Sequence, residues 1–398
     1  MDFGYSPTQR ELQSRAAALA RELMAHEDAC ETQGGLPAAV QVELAAKARA
    51  AGLGAINMPV EWGGAGLGYL EQAIVHEELG QVTNGLWALV ARPPTILREG
   101  TPEQRERYLL PAIRGERRSG FGLTEPEAGS DARAIATTAV PSAGGGFRLD
   151  GEKWFVTGGD VADFLVVMAA VEPGRRLTLF LVDTDRPGVQ IRRQPRFSQV
   201  HVLAHPEIRL AGVEVPAGAV LGEVGGGFEL ARAWFTEERL LAAARCVGAG
   251  RRALQLATDW AESRVQFGQP IGNHQLVQAM LADGAVELAL TRSLLCQVAW
   301  AADQEPPERL LHARAAMVKL AASEAAGRVV DRAVQVFGGR GCMREQPVER
   351  LYREIRRERI LNGTSEIQRL IVAGAVRKGG LPALLGLSDA GSKRRMSD

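Results

Sequence analysis

The chain has 398 residues, 46% of them apolar, and its 47 Lys and Arg balance 47 Asp and Glu. A neutral chain of this length buries a large core in roughly two or three domains, and no global charge draws it to nucleic acid or an anionic membrane. Its first residues are too polar for a secretory signal, no apolar run approaches the ~20 residues of a membrane span, and Cys30, Cys246, Cys296 and Cys342 form no CxxC pair, so the expectation is a cytoplasmic protein with reduced thiols.

Leu12, Ala16, Leu19 and Leu23 recur at helical spacing. Pro37 opens a second helix running to Gly52, and Tyr69–Leu79 reads as a third after the glycine-rich loop from Gly63 to Gly68. Thr101 before Pro102 is an N-cap with proline at the first helical position, and Gly115 and Gly120 close the region. From 120 to 222 the runs shorten. Phe147–Gly151 and Lys153–Val156 predict a hairpin turning at Asp150-Gly151. Phe164–Ala170, Leu177–Val182, Val189–Arg192 and Glu207–Leu210 are of strand length, which predicts a compact β-domain. Beyond 227 the chain is helical again. Leu310, Ala313, Met317, Ala321, Ala325, Val329, Ala333 and Val336 mark the buried stripe of a long helix stopped by Gly338-Gly339. The expected division is a helical domain (1–119), a β-domain (120–226), a helical bundle (227–380) and a flexible tail (381–398).

Two patterns are decoys. Gly248-Ala249-Gly250-Arg251-Arg252-Ala253 satisfies a dinucleotide fingerprint but lies inside a helical pattern rather than after a strand. His201 and His205 are four apart in an extended segment, where they do not form a helical metal-ligand pair.

The densest chemistry lies in Phe121-Gly122-Leu123-Thr124-Glu125-Pro126-Glu127-Ala128-Gly129-Ser130-Asp131. Pro126 and Gly129 bend the backbone, Thr124 and Ser130 offer hydroxyls, and the turn exposes N–H groups. Such a loop either receives a flavin edge or a phosphate, or is an ordinary capped loop. The block resembles the TEPxAGSD signature of acyl-CoA dehydrogenases. Pro59–Gly64 with Glu77-Glu78-Leu79, Lys153–Gly158, Gly225–Phe228, Arg264–Gly268 with His274-Gln275, Gln335–Gly339 and Gly363–Arg369 resemble further blocks of that family, in its order.

The resemblance implies an α+β, mainly α fold: an N-terminal α-helical domain, a middle β-domain and a C-terminal four-helix bundle, in a homotetramer or dimer. It implies FAD as cofactor, an acyl-CoA substrate and electron-transferring flavoprotein or another acceptor, with no nucleic acid or membrane partner. By resemblance Phe121, Leu123 and Thr124 line the flavin, and Gly129 and Ser130 serve its phosphate side, Ser130 also touching acyl-CoA. Phe155, often Trp in the family, and Thr157 meet the isoalloxazine. Arg264, Gln266 and Phe267 reach the FAD of a neighbouring subunit. Gln335, Gly338, Gly339, Thr364 and Glu366, often Gln in relatives, hold the adenosine end. Arg239 lies near the CoA moiety and Gly363 beside the substrate; the plain alternative for Arg239 is a surface pair with Glu237 or Glu238.

The family's base is usually a Glu immediately before Gly-Thr. Here Asn362 holds that position, and an amide is no general base at neutral pH. Its backbone N–H is unaffected, so a donor to the substrate oxyanion persists. In one branch of the family the base lies in a Glu-Arg-Leu context on the first long C-terminal helix, which Glu238-Arg239-Leu240 matches. The expectation is therefore α,β-dehydrogenation of a branched or atypical acyl-CoA, with the α-proton passing to Glu238 and the β-hydride to flavin N5. The alternatives are an oxidase, monooxygenase or desulfinase-like flavoprotein, or a silent flavin- or CoA-binding subunit.

Overall fold

The computed structural model describes residues 4–90 and 92–385. In chain order it forms helices α1 (Pro7–Met24), α2 (Glu27–Gln33), α3 (Ala38–Ala50), α4 (Tyr69–Leu79), α5 (Pro102–Gln104) and α6 (Leu110–Arg114). Strands β1 (Ser119–Gly122), β2 (Thr138–Pro141), β3 (Phe147–Lys153), β4 (Phe164–Val171), β5 (Arg176–Asp183), β6 (Val189–Arg193), β7 (Glu207–Val215) and β8 (Val220–Leu221) follow. Then come α7 (Gly227–Ser263), a hairpin of β9 (Val265–Gln266) and β10 (Gln269–Pro270), α8 (Gln275–Ala302), α9 (Glu308–Phe337), α10 (Pro347–Glu358), α11 (Ser365–Gly379) and α12 (Leu381–Leu385). The expected tail thus begins with a short helix, and its remainder, 386–398, lies outside the described residues.

Contacts group the chain into two compact units that cut across chain order. One comprises the residues up to Glu31, Leu67–Trp87 and everything from Phe235; the other comprises Thr32–Gly66 and Ala88–Trp234.

In the helical unit, Ser6 and Gln9 cap α1 reciprocally, and Leu12, Ala16, Leu19, Ala20 and Leu23 form its buried stripe. The core is built from small residues on α7, α8 and α9, among them Ala253, Ala257, Ala261, Ala299, Ala315, Ala322 and Ala326. Alanine stripes let long helices approach closely. The rejected fingerprint finds its reason here: a Cβ on Gly248 would sit 2.0 Å from the Glu77 carbonyl oxygen of α4. Glycine at that position serves helix packing, not a nucleotide. Glu77 and Glu78 are buried and answered by arginines; Glu77 pairs with Arg251 at 2.8 Å and Arg292 at 3.0 Å.

Glu354 on α10 is less well answered, and burial pushes its carboxyl up to about 7. The folded state holds the proton that the unfolded chain releases near pH 4.5. This contribution to stability is full below pH 4.5 and is lost as pH rises through 7, on the order of 2–3 kcal/mol. Thermal melts from pH 5 to 8 should therefore show wild type losing stability relative to Glu354→Gln; parallel curves contradict the assignment.

In the β unit the strand order is β6-β7-β3-β2-β4-β5-β8, and β1 pairs in parallel with β4 beside β2. Every residue of β4 is buried, as its unbroken apolar run demands. The predicted hairpin at Asp150-Gly151 does not form. β3 runs straight through both residues, pairing Asp150 with Thr138 of β2 and Gly151 with Leu210 of β7 across a register shift. A Cβ on Gly151 would lie 2.2 Å from Thr137 Oγ1, and Asp150 Oδ1 accepts the Gly212 N–H at 2.9 Å. The Asp-Gly pair serves a bulge and a close approach, uses it shares with turns. His201 and His205 pack edge to face with centroids 4.7 Å apart, each Nδ1 3.0 Å from the Leu203 carbonyl oxygen. Among the described residues no group of three or more His, Cys, Asp or Glu could hold a metal ion, and no helix is long and apolar enough to cross a membrane.

Candidate flavin and acyl thioester site

The β unit presents one set of candidate residues. β1 runs out into Leu123 and Thr124, and the backbone there is pinned group by group. Lys153 Nζ donates to the Leu123 carbonyl at 3.2 Å, and the Trp154 N–H donates to the Thr124 carbonyl at 2.7 Å. Glu125 folds beneath this segment. Its Oε1 meets Lys153 Nζ at 2.6 Å and accepts the Thr137 N–H at 3.1 Å, and its backbone closes a turn with Ala128. Both side chains of the pair are buried, so the charges act at low dielectric. Burial raises the Glu125 carboxyl, but Lys153 and the backbone donors outweigh it and hold the group below its ordinary value. Burial lowers Lys153 to about 8 against the pull of Glu125. The turn after Glu125 leaves Gly129 and Ser130 exposed.

Phe155, Val156 and Thr157 follow β3. Val156 is buried and its N–H donates to the Pro206 carbonyl at 3.1 Å, while Phe155 and Thr157 on either side are exposed. Phe155 has φ +59° and is 45% exposed, unusual on both counts for an aromatic residue. An aromatic ring and a hydroxyl held side by side toward solvent fit a flat heteroaromatic with a polar edge. Phe121 packs edge-on against Trp234, centroids 4.6 Å apart.

The helical unit gathers a second set around Asn362. This residue has φ +53° and Gly363 φ +91°. Asn tolerates the left-handed region better than most side chains, and glycine is at ease there. The two carbonyls of the turn are capped by three side chains. Arg239 Nε donates to Asn362 O at 3.1 Å, Lys319 Nζ to Gly363 O at 2.8 Å, and Gln368 Nε2 to both, at 3.0 and 2.8 Å. The Asn362 N–H, by contrast, has no acceptor among the described residues. Thr364 caps α11, accepting the Ile367 N–H at 3.3 Å, which places Glu366 in its exposed first turn. Arg239 is buried rather than paired at the surface with Glu237 or Glu238, and its Nη1 lies 3.1 Å from His312 Nδ1. Burial lowers Arg239 to about 10 and Lys319 to about 8, so both remain cations at neutral pH. Glu238 directly precedes Arg239 on α7 and is half-buried.

The remaining candidates lie at the ends of α7 and α9, where the rings of Trp260 and Phe337 stack at 5.1 Å. Gln266 and Gln269 flank a two-residue hairpin loop in which Phe267 (φ +53°) and Gly268 (φ +78°) are both left-handed, the backbone of a type I′ turn. Phe267 is 96% exposed, and Arg264 precedes the hairpin. The Gly338 N–H donates to the Gln335 carbonyl and ends α9 with φ +62°; a Cβ on Gly338 or Gly339 would meet nothing within 4 Å.

Glu125, Lys153, Lys319, Gln368 and His312 have no assigned role in the sequence reading. Lys319 had a signal, a lone charge in the apolar helical run Met317-Val318-Lys319-Leu320-Ala321.

The β unit thus offers an exposed aromatic ring and hydroxyl suited to a flat cofactor, and the helical unit a left-handed turn whose carbonyls are capped from behind. Comparison with known proteins identifies the family. The N-terminal, middle and C-terminal domain models of the acyl-CoA dehydrogenases match residues 6–116, 120–213 and 225–376, and the chain belongs to that family. Benzylmalonyl-CoA dehydrogenase of Aromatoleum aromaticum is 34% identical, covering 94% of this chain and 100% of its own. Acryloyl-CoA reductase (NADH) of Anaerotignum propionicum is 35% identical, covering 82% and 84%. The structure of butyryl-CoA dehydrogenase from Megasphaera elsdenii superposes with a TM-score of 0.88 at 29% identity, covering 95% of this chain and 100% of that one. The chain therefore has the family's helical, β and helical domains, and is an FAD-dependent oxidoreductase acting on CH–CH groups.

Proposed function

We propose that the chain catalyses α,β-dehydrogenation of an acyl-CoA thioester, with Glu238 as base and the Asn362 N–H as donor to the thioester oxygen. The observation that carries this is the asymmetry of the 362–363 turn: its carbonyls are capped by Arg239, Gln368 and Lys319, while the Asn362 N–H has no acceptor among the described residues. A donor held in place before reaction stabilises developing negative charge without reorganisation. Phe155 and Thr157, with Leu123 and Thr124 behind them, would hold the isoalloxazine; Gly129 and Ser130 would take the phosphate side, and Gln335, Gly338, Gly339, Thr364 and Glu366 the adenosine end. FAD, when bound, supplies a hydride acceptor. The side-chain amide of Asn362 cannot accept a proton at neutral pH, so in this reading that task falls to Glu238, one residue from the arginine that holds the turn.

Anaerobic titration of the purified flavoprotein with a panel of saturated acyl-CoAs tests the reading. Bleaching by at least one, with a product lighter by two hydrogens, is expected. Oxygen consumption without anaerobic bleaching instead assigns the chain to the family's oxidase-like chemistry. Asn362→Ala keeps the backbone donor and adds roughly 1 kcal/mol of left-handed strain. Its turnover should stay within about threefold of wild type; a loss of ~100-fold makes the side chain a participant.

The proposal includes a homotetramer in which Arg264, Gln266 and Phe267 reach the FAD of a neighbouring subunit, electron-transferring flavoprotein as acceptor, and a cytoplasmic location. A phenylalanine 96% exposed at a hairpin tip supports the first. Sedimentation velocity should give four times the chain mass, falling to smaller species in Phe267→Ser.

A further inference from the structure

Within the helical unit, α10 and α7 enclose a cavity of about 20 Å³ lined by Trp87, Arg245, Leu351, Glu354, Arg357 and Glu358, among others. Four of its polar atoms are shut off from solvent and have no hydrogen-bond partner among the described residues: Arg245 Nε, Glu354 Oε1, Arg357 Nε and Glu358 Oε2. Arg245 and Glu358 are each more than nine-tenths buried. Neighbouring groups leave these atoms unmet. The Arg245 guanidinium lies 4.1 Å over the Trp87 ring with Nη1 3.4 Å from His76 Nδ1, and Arg357 Nε stands 3.4 Å from Glu358 Oε1 without an aligned hydrogen bond.

We infer that this cavity binds one structural water, which joins α10 to α7 behind the Asn362 turn. The orphan atoms are two N–H donors and two carboxyl acceptors. One water accepts two hydrogen bonds and donates two, so it answers all four at once. The volume exceeds the ~10–15 Å³ a water needs, and the polar partners reach the upper end of the usual two to four. An anion would face two carboxyls and a metal ion two guanidiniums, so the neutral dipole is the species this lining selects. The site matters to the turn through chain connectivity and charge. Three residues separate Glu358 from Asn362, and Glu358 also stabilises the charge of Lys319, whose Nζ caps Gly363. Leaving buried donors and acceptors unmet is destabilising. The water therefore fastens the end of α10 from which the turn departs, whatever reaction the turn serves.

A crystal structure of the wild-type holoprotein at a resolution that orders internal waters decides the point. One density peak within hydrogen-bond distance of the four atoms is expected. Empty density, a bound ion, or Arg357 and Arg245 closing directly onto the two carboxyls overturns the inference. Ala249→Val, on the cavity wall, provides the second measurement. Its methyls should displace the water, removing one long-lived site from oxygen-17 relaxation dispersion and lowering Tm by roughly 5 °C or more as four groups lose their partner. Loss of the long-lived site with Tm unchanged shows that the water does not satisfy these groups; should the variant not fold, the wild-type density stands as the test.

Discussion

Glu238→Gln is expected to purify folded and yellow, with FAD bound, and to be reduced by its acyl-CoA at least ~10²–10⁴-fold more slowly than wild type, the usual worth of a general base. The substitution keeps shape and hydrogen-bonding capacity and removes only the ability to take a proton. It leaves the Asn362 turn untouched, because the turn's carbonyls are capped by Arg239, Lys319 and Gln368 and not by Glu238. Ground-state binding should therefore change little, and the loss should fall on kcat and kcat/KM together, as it does when an interaction made only in the transition state is removed. A compensating variant sharpens the test. Asn362→Glu in the Glu238→Gln background places a carboxylate on the turn at the cost of left-handed strain, and partial recovery of flavin reduction is expected. Full-rate reduction in Glu238→Gln alone removes Glu238 from the mechanism.

How much of this was legible in the sequence follows from what a linear pattern records. The stripe Leu12–Leu23 in α1 was readable because one face of the helix meets a core; in α9 the spacing found the buried Ala313, Ala325, Val329, Ala333 and Val336, while Leu310, Met317 and Ala321 are only half-buried. β4 was readable because a strand buried on both faces must be apolar throughout. Asp150-Gly151 misled because glycine marks any close backbone approach, and only the three-dimensional neighbour, Thr137, distinguishes a bulge from a turn. The loop around Thr124 and the turn at Asn362 could be found as motifs, but not the side chains that support them. Lys153 and Glu125 are 28 residues apart, and Lys319 and Gly363 are 44 apart. A charge that finds its partner at such separation looks, in sequence, like any solvated charge. Arg239 shows the same limit: its helical register allowed a surface pair with a neighbouring glutamate, and its burial against Asn362 depends on how α7 packs.

Glu125→Gln should be the most destabilising single change in the β unit, by about 3–5 kcal/mol, with a matching loss of FAD affinity. The side chain keeps an oxygen to accept the Thr137 N–H but loses the charge that answers Lys153, whose side chain is 1% exposed. An ammonium left alone at that depth either stays charged at a large desolvation penalty or releases its proton. Lys153 already lies near 8 beside an ionised Glu125, so without it the proton is expected to leave below neutrality. The sign of the pH dependence follows. A lysine whose folded value is depressed destabilises the fold while the unfolded chain is still protonated, and the penalty fades as pH approaches the ordinary value near 10.5. Urea melts of Glu125→Gln should thus show a deficit at pH 7 that narrows toward pH 9.5. Lys153→Met in the same background removes the stranded charge and should recover a large part of the lost stability, because a buried pair replaced as a pair is often tolerated where half a pair is not. FAD affinity should not return with it. Lys153 Nζ also holds the Leu123 carbonyl, and that anchor fixes where Leu123 and Thr124 meet the flavin. A double variant that regains both stability and tight FAD binding would show the pair to be a device of folding alone; recovery of stability without the cofactor ties the buried charges to the site above them.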